Sequence, residues 1–173
     1  RASDRCCEAI KIIEKKNNKN FDIVLMVQGD EPMINKMMIQ QSLQPMLKNN
    51  EIYVTNLIGK ISEKNDFINK NTIKVVCDNN SYAMYFSRSP IPFMNDEKMF
   101  PKFGKQICII PFEKNFLFEY SSMQQTSLEI IESVDMLRIL ENGKKDYILV
   151  RYFIPLVLLL IKNPENSGFT ETF

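Results

Sequence analysis

Phe21-Asp22-Ile23-Val24-Leu25-Met26-Val27-Gln28-Gly29-Asp30-Glu31-Pro32 is the stretch on which the fold class turns. Its first seven residues form an apolar run interrupted only by Asp22. Such runs suit a strand buried on both faces, as in parallel sheets covered by helices. The run stops at Gln28-Gly29, and Pro32, which has no backbone N–H, bars a strand from continuing. A helix is expected next, from about 35 to 48, with Met38, Ile39, Leu43 and Leu47 as its apolar positions. In open α/β sheets, ligands bind outside the carboxyl ends of strands. Asp30 therefore stands where a carboxylate could hold Mg²⁺ beside a triphosphate, because that ion takes one or two carboxylates and completes its octahedron with water and phosphate oxygens. The same spacing also fits a plain strand-to-helix turn, with acidic residues placed favourably at a helix N-terminus.

Working outward, Ser3 is a candidate N-cap for a first helix, with Asp4 in its first turn and Cys6, Ala9, Ile10 and Ile13 at helical spacing. Residues 52–61, 72–77, 82–86, 106–112 and 147–152 read as strands. Asp78-Asn79-Asn80-Ser81 is a turn cluster, and 90–104, with Pro90, Pro92 and Pro101, reads as a long loop. Thr126-Ser127-Leu128-Glu129 is a capping-box pattern opening a helix. Ile130, Val134 and Leu137 are expected to form its buried stripe, leaving Glu132, Asp135 and Arg138 on other faces, and Asn142-Gly143 ends it. The apolar run 153–161 is far shorter than the ~20 residues a membrane helix needs, and Pro155 interrupts it, so a buried strand is expected. Strands alternating with helices predict a layered α/β fold. No clear linker divides residues 1–173, so one domain is expected, with 151–173 as its tail.

Composition narrows the function classes. Lys+Arg is 22 and Asp+Glu is 21, a net charge of +1, which gives no field suited to nucleic acid or an anionic membrane. The chain has no histidine, which excludes Ser-His-Asp and Cys-His catalytic units and His-ligated metals. Cys6, Cys7, Cys77 and Cys108 form no C-x-x-C pair and read as small core residues in a reducing cytosol. The chain opens on Arg1 with no signal peptide, and is expected to be an N-terminally incomplete piece of a longer protein.

Two more segments could carry chemistry. In Tyr85-Phe86-Ser87-Arg88-Ser89-Pro90-Ile91-Pro92, Arg88 follows a strand, and its planar fork suits a carboxylate or phosphate. It reads equally well as a surface arginine in a Pro-rich turn. Ser3-Asp4-Arg5 fits either a ligand contact or a helix cap with a solvated arginine.

Taken together and in order, these segments resemble the cytidylyltransferases that activate 3-deoxy-ulosonic acids, above all the 3-deoxy-manno-octulosonate (KDO) cytidylyltransferases. The matching pieces are Arg1-Ala2-Ser3-Asp4-Arg5, Val27-Gln28-Gly29-Asp30-Glu31-Pro32-Met33-Ile34, Ile73-Lys74-Val75-Val76-Cys77-Asp78, and Tyr82-Ala83-Met84-Tyr85-Phe86-Ser87-Arg88-Ser89-Pro90-Ile91-Pro92. Leu128-Glu129-Ile130-Ile131-Glu132 through Leu137-Arg138 matches a later helix. The resemblance covers most of residues 1–150. It implies a three-layer Rossmann-like mixed sheet of the nucleotide-diphospho-sugar transferase type, incomplete at the N-terminus. It implies Mg²⁺-dependent transfer of CMP from CTP to a 3-deoxy-ulosonic acid in the cytoplasm, for surface-glycan and lipopolysaccharide synthesis, by a homodimer. By the same resemblance Asp30 would hold Mg²⁺, Ser3, Arg5 and Gln28 would lie near the nucleotide or sugar acid, and Arg88 would meet the sugar acid.

Departures from the family pattern qualify this. The family's basic Gly-containing loop, which carries its catalytic Arg and Lys, would precede residue 1. Its second metal Asp, in a Val-Asp-Thr-Pro-Glu-Asp-like segment, has no counterpart before Pro164-Glu165. In the sugar pocket, Gln106 aligns with a His, Ile110 with a Tyr, and Asp135-Met136 with a Glu-Gln pair. Losing polar side chains there should change which hydroxyls are recognised, so KDO or a close relative is the expected substrate. Arg88, Gln106 and Asp135 are expected to converge on one cleft. The chain by itself is expected not to make a CMP-sugar from CTP, and two other readings stand beside this one: a different nucleotidyltransferase of the same fold, or a degenerate or truncated remnant that binds weakly or only dimerises.

Overall fold

The computed structural model describes residues 1–29, 32–61, 63–95 and 103–150. Asp30 and Glu31, the strand expected over 153–161 and the tail 151–173 lie outside the described residues. The elements run α1 (Ala2–Asn17), β1 (Ile23–Val27), α2 (Lys36–Lys48), β2 (Thr55–Gly59), α3 (Lys64–Ile68), β3 (Lys74–Cys77), β4 (Ala83–Ser87), β5 (Phe103–Ile107), β6 (Ile109–Glu113), α4 (Lys114–Ser122), α5 (Ser127–Glu132), α6 (Leu137–Glu141) and β7 (Tyr147–Val150). Five strands form a mixed sheet in the order β4-β3-β5-β2-β7, in which β2 and β7 are parallel and the other pairs antiparallel. β1 and β6 form an antiparallel pair, joined to the larger sheet by a bridge between Val54 and Phe112.

The period-2 alternation of the strands sorts their side chains onto two faces. Leu25, Leu57 and Ile109 meet Met38 of α2 on one face. Met26, Ile58, Ile110 and Phe112 meet α1, α4 and α6 on the other, through Cys7, Phe116, Leu117, Tyr120 and Leu137. Helices thus cover both faces of the sheet, giving three layers. Asn35 caps α2 by accepting from the Met38 N–H at 3.1 Å. Gly104 of β5 lies so close to β2 that a Cβ there would collide with the Gly59 carbonyl oxygen.

Several expectations need correction. β1 is not a two-sided parallel strand: among the described residues it pairs only with antiparallel β6, and Val27 is exposed. Its apolar run reflects contact with different helices on its two faces rather than a parallel setting. α1 starts at Ala2, with Arg1 as N-cap, so Ser3 lies inside the first turn and is fully buried. The strand expected over 106–112 is two strands, because the chain crosses from the five-stranded sheet to β1 at Cys108. Helix α4 gave no start signal in the sequence because its N-cap is Glu113, an unusual cap, whose carboxylate accepts from the N–H groups of Asn115 (3.0 Å) and Phe116 (2.7 Å). The helix opened by Thr126 stops at Ser133, which adopts left-handed backbone (φ 51°), and α6 resumes after it. That break leaves Ile130 exposed while Val134 and Leu137 stay buried, and it turns Arg138 fully inward.

Candidate active site

A cavity of about 460 Å³ opens where β1 ends, where β5 hands over to β6, and where α5 breaks. Gln28, Arg88, Gln106 and Asp135, four residues drawn from distant parts of the sequence, line it together, with Arg1, Cys108, Gln125, Glu129 and Ser133 beside them. Gln28 is held by its backbone, whose N–H donates to the Cys108 carbonyl at 3.2 Å. Two residues expected to lie near the ligand are elsewhere. Ser3 has no exposed surface, because α1 turns it against the core. Arg5 points from the outer face of α1, where it pairs with Glu8 at 3.0 Å, and neither lines the cavity.

Arg88 lines the cavity, but its fork is not open to receive an anion on all sides. Nε donates to the Glu132 carbonyl at 2.8 Å, Nη1 to the Lys70 carbonyl at 3.0 Å, and Nη2 to the Ser133 carbonyl at 3.0 Å. Three of its five N–H donors are thereby committed to backbone, and two remain. The Glu132 carboxylate in turn accepts from the Arg88 N–H (2.8 Å) and the Ser87 hydroxyl (2.6 Å). Behind this clip Lys74 is fully buried, and its ammonium donates to the carbonyls of Asn69, Thr72 and Arg88. Burial pushes the Lys74 pKa below its ordinary value, partly offset by Glu132. Arg88 thus fixes the cavity wall by tying the end of β4 to the end of α5.

Two acids line the cavity in contrasting settings. Glu129 is 4% exposed and takes both Nε and Nη2 of fully buried Arg138 on its two carboxylate oxygens. The Arg138 guanidinium also lies 4.8 Å from the Tyr120 ring centre. Asp135 carries a pKa raised by burial, with Glu129 adding to the shift. Deeper in, the Gln106 amide Nε2 donates to Asn56 Oδ1 at 2.8 Å, and Asn56 Nδ2 donates to Asp146 Oδ2 at 2.6 Å. Asn56 and Asp146 are fully buried. The sequence carried a signal for Asn56, since an amide inside the apolar strand expected over 52–61 demands a partner. Nothing marked Asp146. Ile110 and Met136, aligned with polar sugar-pocket positions, are buried in the core cluster.

A family model described as cytidylyltransferase matches residues 1–146. The chain belongs to the cytidylyltransferase family. It is 40% identical over 144 residues to the 3-deoxy-manno-octulosonate cytidylyltransferase of Trichlorobacter lovleyi, covering 77% of this chain and 57% of that one. It is 42% identical over 125 residues to the enzyme of the same name from Fusobacterium nucleatum, covering 72% of this chain and 51% of that one. The chain spans just over half the length of these relatives. A solved structure of CMP:2-keto-3-deoxy-manno-octonic acid synthetase complexed with CTP superposes with a TM-score of 0.76 at 26% identity, over 94% of this chain and 66% of that one. The fold of this chain is therefore the Rossmann-like nucleotide-diphospho-sugar transferase type. Among the described residues no helix is long and apolar enough to cross a membrane.

Proposed function

We propose that this cytidylyltransferase takes part in the transfer of CMP from CTP to a 3-deoxy-ulosonic acid, 3-deoxy-manno-octulosonate or a close relative. The observation that supports this most is the convergence of Gln28, Arg88, Gln106 and Asp135 on one cavity in a chain of this family. Amides, carboxyls and a guanidinium stand on the cavity walls among apolar side chains such as Ile73 and Val134, a mixture that suits a polyhydroxylated acid. The two free N–H groups of Arg88 would meet the sugar carboxylate, and Gln28 and Gln106 would meet hydroxyls. Asp135, whose carboxyl pKa burial raises above the ordinary range, would hydrogen-bond a further sugar hydroxyl. In the reaction, the anomeric hydroxyl would attack the α-phosphorus of CTP in line. A new P–O bond forms, the bond to the bridging oxygen of the β-phosphate breaks, and diphosphate leaves.

For Mg²⁺ the donors are sparse. Among the described residues no cluster of three or more His, Cys, Asp or Glu side chains could hold a metal. Glu129 is committed to Arg138, and Asp135 is shifted toward its neutral form. The reading that fits these donors is a single carboxylate, Asp30, two residues beyond cavity-lining Gln28, with phosphate and water oxygens as the other ligands. Mg²⁺ held there would offset phosphate charge. The same family reading supplies a cytoplasmic, homodimeric setting and a role in lipopolysaccharide synthesis.

The test is calorimetric titration of 3-deoxy-manno-octulosonate into the 173-residue chain, followed by diphosphate release on adding CTP and Mg²⁺. Saturable binding that is lost in Gln28→Ala and Gln106→Ala supports the site. Sugar-acid binding that is absent, or unaffected by both substitutions, sinks it.

A further inference from the structure

The Gln106–Asn56–Asp146 chain of hydrogen bonds is a product of strand register. Gln106 on β5 pairs with Ile58 on β2, so Asn56, two residues back, shares its face. Asn56 pairs with Ile148 on parallel β7, which brings Asp146, two residues before Ile148, to the same side. One end of the chain lines the cavity, and the other is a carboxyl with no exposed surface. Asp146 Oδ1 is buried with no hydrogen-bond partner among the described residues.

The polarity of this chain runs one way. Asp146 Oδ2 accepts, so Asn56 turns its Nδ2 inward and its Oδ1 outward. Asn56 Oδ1 accepts, so Gln106 commits its Nε2 to the sheet. The Gln106 groups left uncommitted are then its carbonyl, an acceptor, and the second N–H of Nε2. We propose that Asp146 and Asn56 are positioning residues that hold the Gln106 amide in this one orientation, so that its oxygen selects a ligand hydroxyl at one position. This rests on the sugar-acid reading above and says which of its groups is read by Gln106. A site built to accept a hydrogen bond from one hydroxyl disfavours an analogue that lacks it, because the buried acceptor is then unpaired.

Burial pushes the Asp146 pKa up to about 8, with the Asn56 hydrogen bond opposing the shift and Asp135 adding to it. The other titratable groups that feel Asp146 are Cys77 at the end of β3 and Tyr120 on α4. Burial holds the Cys77 thiol up at about 12 and raises the Tyr120 phenol further, so neither changes charge between pH 6 and pH 9.

The experiment uses the full 173-residue chain and has two arms. In the first, the side-chain amide NMR signals of Asn56 and Gln106 are followed from pH 6 to pH 9. Both are expected to shift in one step with a shared midpoint, and Asp146→Asn is expected to abolish the step in both. A Gln106 signal that ignores Asp146 overturns the relay. In the second arm, binding of 3-deoxy-manno-octulosonate is compared with binding of analogues each missing one hydroxyl. Asn56→Leu is expected to weaken the parent compound about 3–10-fold and to leave one analogue unchanged, which removes the preference for that hydroxyl. Equal weakening of every analogue marks a merely structural role and overturns the selectivity. If wild-type protein binds no sugar acid while the amide signals still titrate together, the functional reading falls, the selectivity falls with it, and the relay stands.

Discussion

Glu129, on the cavity wall, and Asp146, two hydrogen bonds behind cavity-lining Gln106, are both buried carboxyls, at 4% and 0% exposure, yet they meet burial in different ways. Glu129 faces a guanidinium through two charge-assisted hydrogen bonds, supported by the Tyr120 ring beneath the arginine. Its anionic form has a counter-charge within hydrogen-bond distance. Among the described residues, Asp146 has the Asn56 amide as its side-chain partner and its second oxygen has none. One neutral donor does not offset the loss of water around an anion, so the proton is retained up to about pH 8. The two carboxyls differ less in depth than in the number and charge of their partners.

The sharpest way to break this contrast is to remove the counter-charge. Arg138→Leu leaves Glu129 buried without a cation and should cost about 3–5 kcal/mol in guanidinium unfolding at pH 7. The pair of changes Glu129→Leu and Arg138→Leu should recover most of that loss, because the desolvated anion goes as well. A loss below about 1 kcal/mol in Arg138→Leu would show that Glu129 keeps its own solvation.

Asp146→Asn sharpens the other half. The folded pKa of Asp146 lies above its ordinary 3.8, so between pH 3.8 and about 8 the native state holds a proton that the unfolded chain has released. Stability from this group is therefore full below pH 3.8, falls as pH rises through that window, and levels off above about 8. Asp146→Asn should lack this fall, so its stability relative to wild type should rise by several kcal/mol (on the order of 1.4 per pKa unit) between pH 4 and pH 8, with no gain at pH 4. Thermal melts at the two pH values decide it, and a gain of equal size at both would refute the titration. Next in size is Gly104→Ala, which drives a methyl group into the Gly59 carbonyl and so separates β5 from β2, across which the Gln106–Asn56 bond runs. Overpacking of this kind costs roughly 1–3 kcal/mol at every pH, and urea unfolding at pH 5 and pH 8 should give the same loss. The smallest effect belongs to Arg5→Ala. Arg5 and Glu8 are exposed, so the melting temperature and sugar-acid binding should both be unchanged within error.

Much of the layered fold was legible in local pattern. The apolar run ending at Val27 marked a strand, Asn35 and Thr126 marked helix starts, and most strands lie within a few residues of where β-branched content put them. What escaped was set by partners distant in sequence. Ile130 reads as a stripe residue until Ser133 breaks the helix, and Arg138 reads as lying off the buried stripe until Glu129 receives it in the core. Arg88 reads as an open fork until three backbone carbonyls occupy it.

By itself the sequence determined the alternation of strands and helices, the absence of imidazole chemistry, and the motifs by which the chain is placed in its family. These depend on residue type and spacing, which a chain carries whether folded or not. The shared cleft of Arg88, Gln106 and Asp135 was expected from the family resemblance, and the cavity brings them together. Only the tertiary structure decided that β1 pairs with β6, that three backbone carbonyls hold the Arg88 fork, and that a carboxyl 90 residues from Asn56 accepts from its amide. Burial and hydrogen-bond partnership across strands set these, and both are properties of register and packing that no local window of sequence contains.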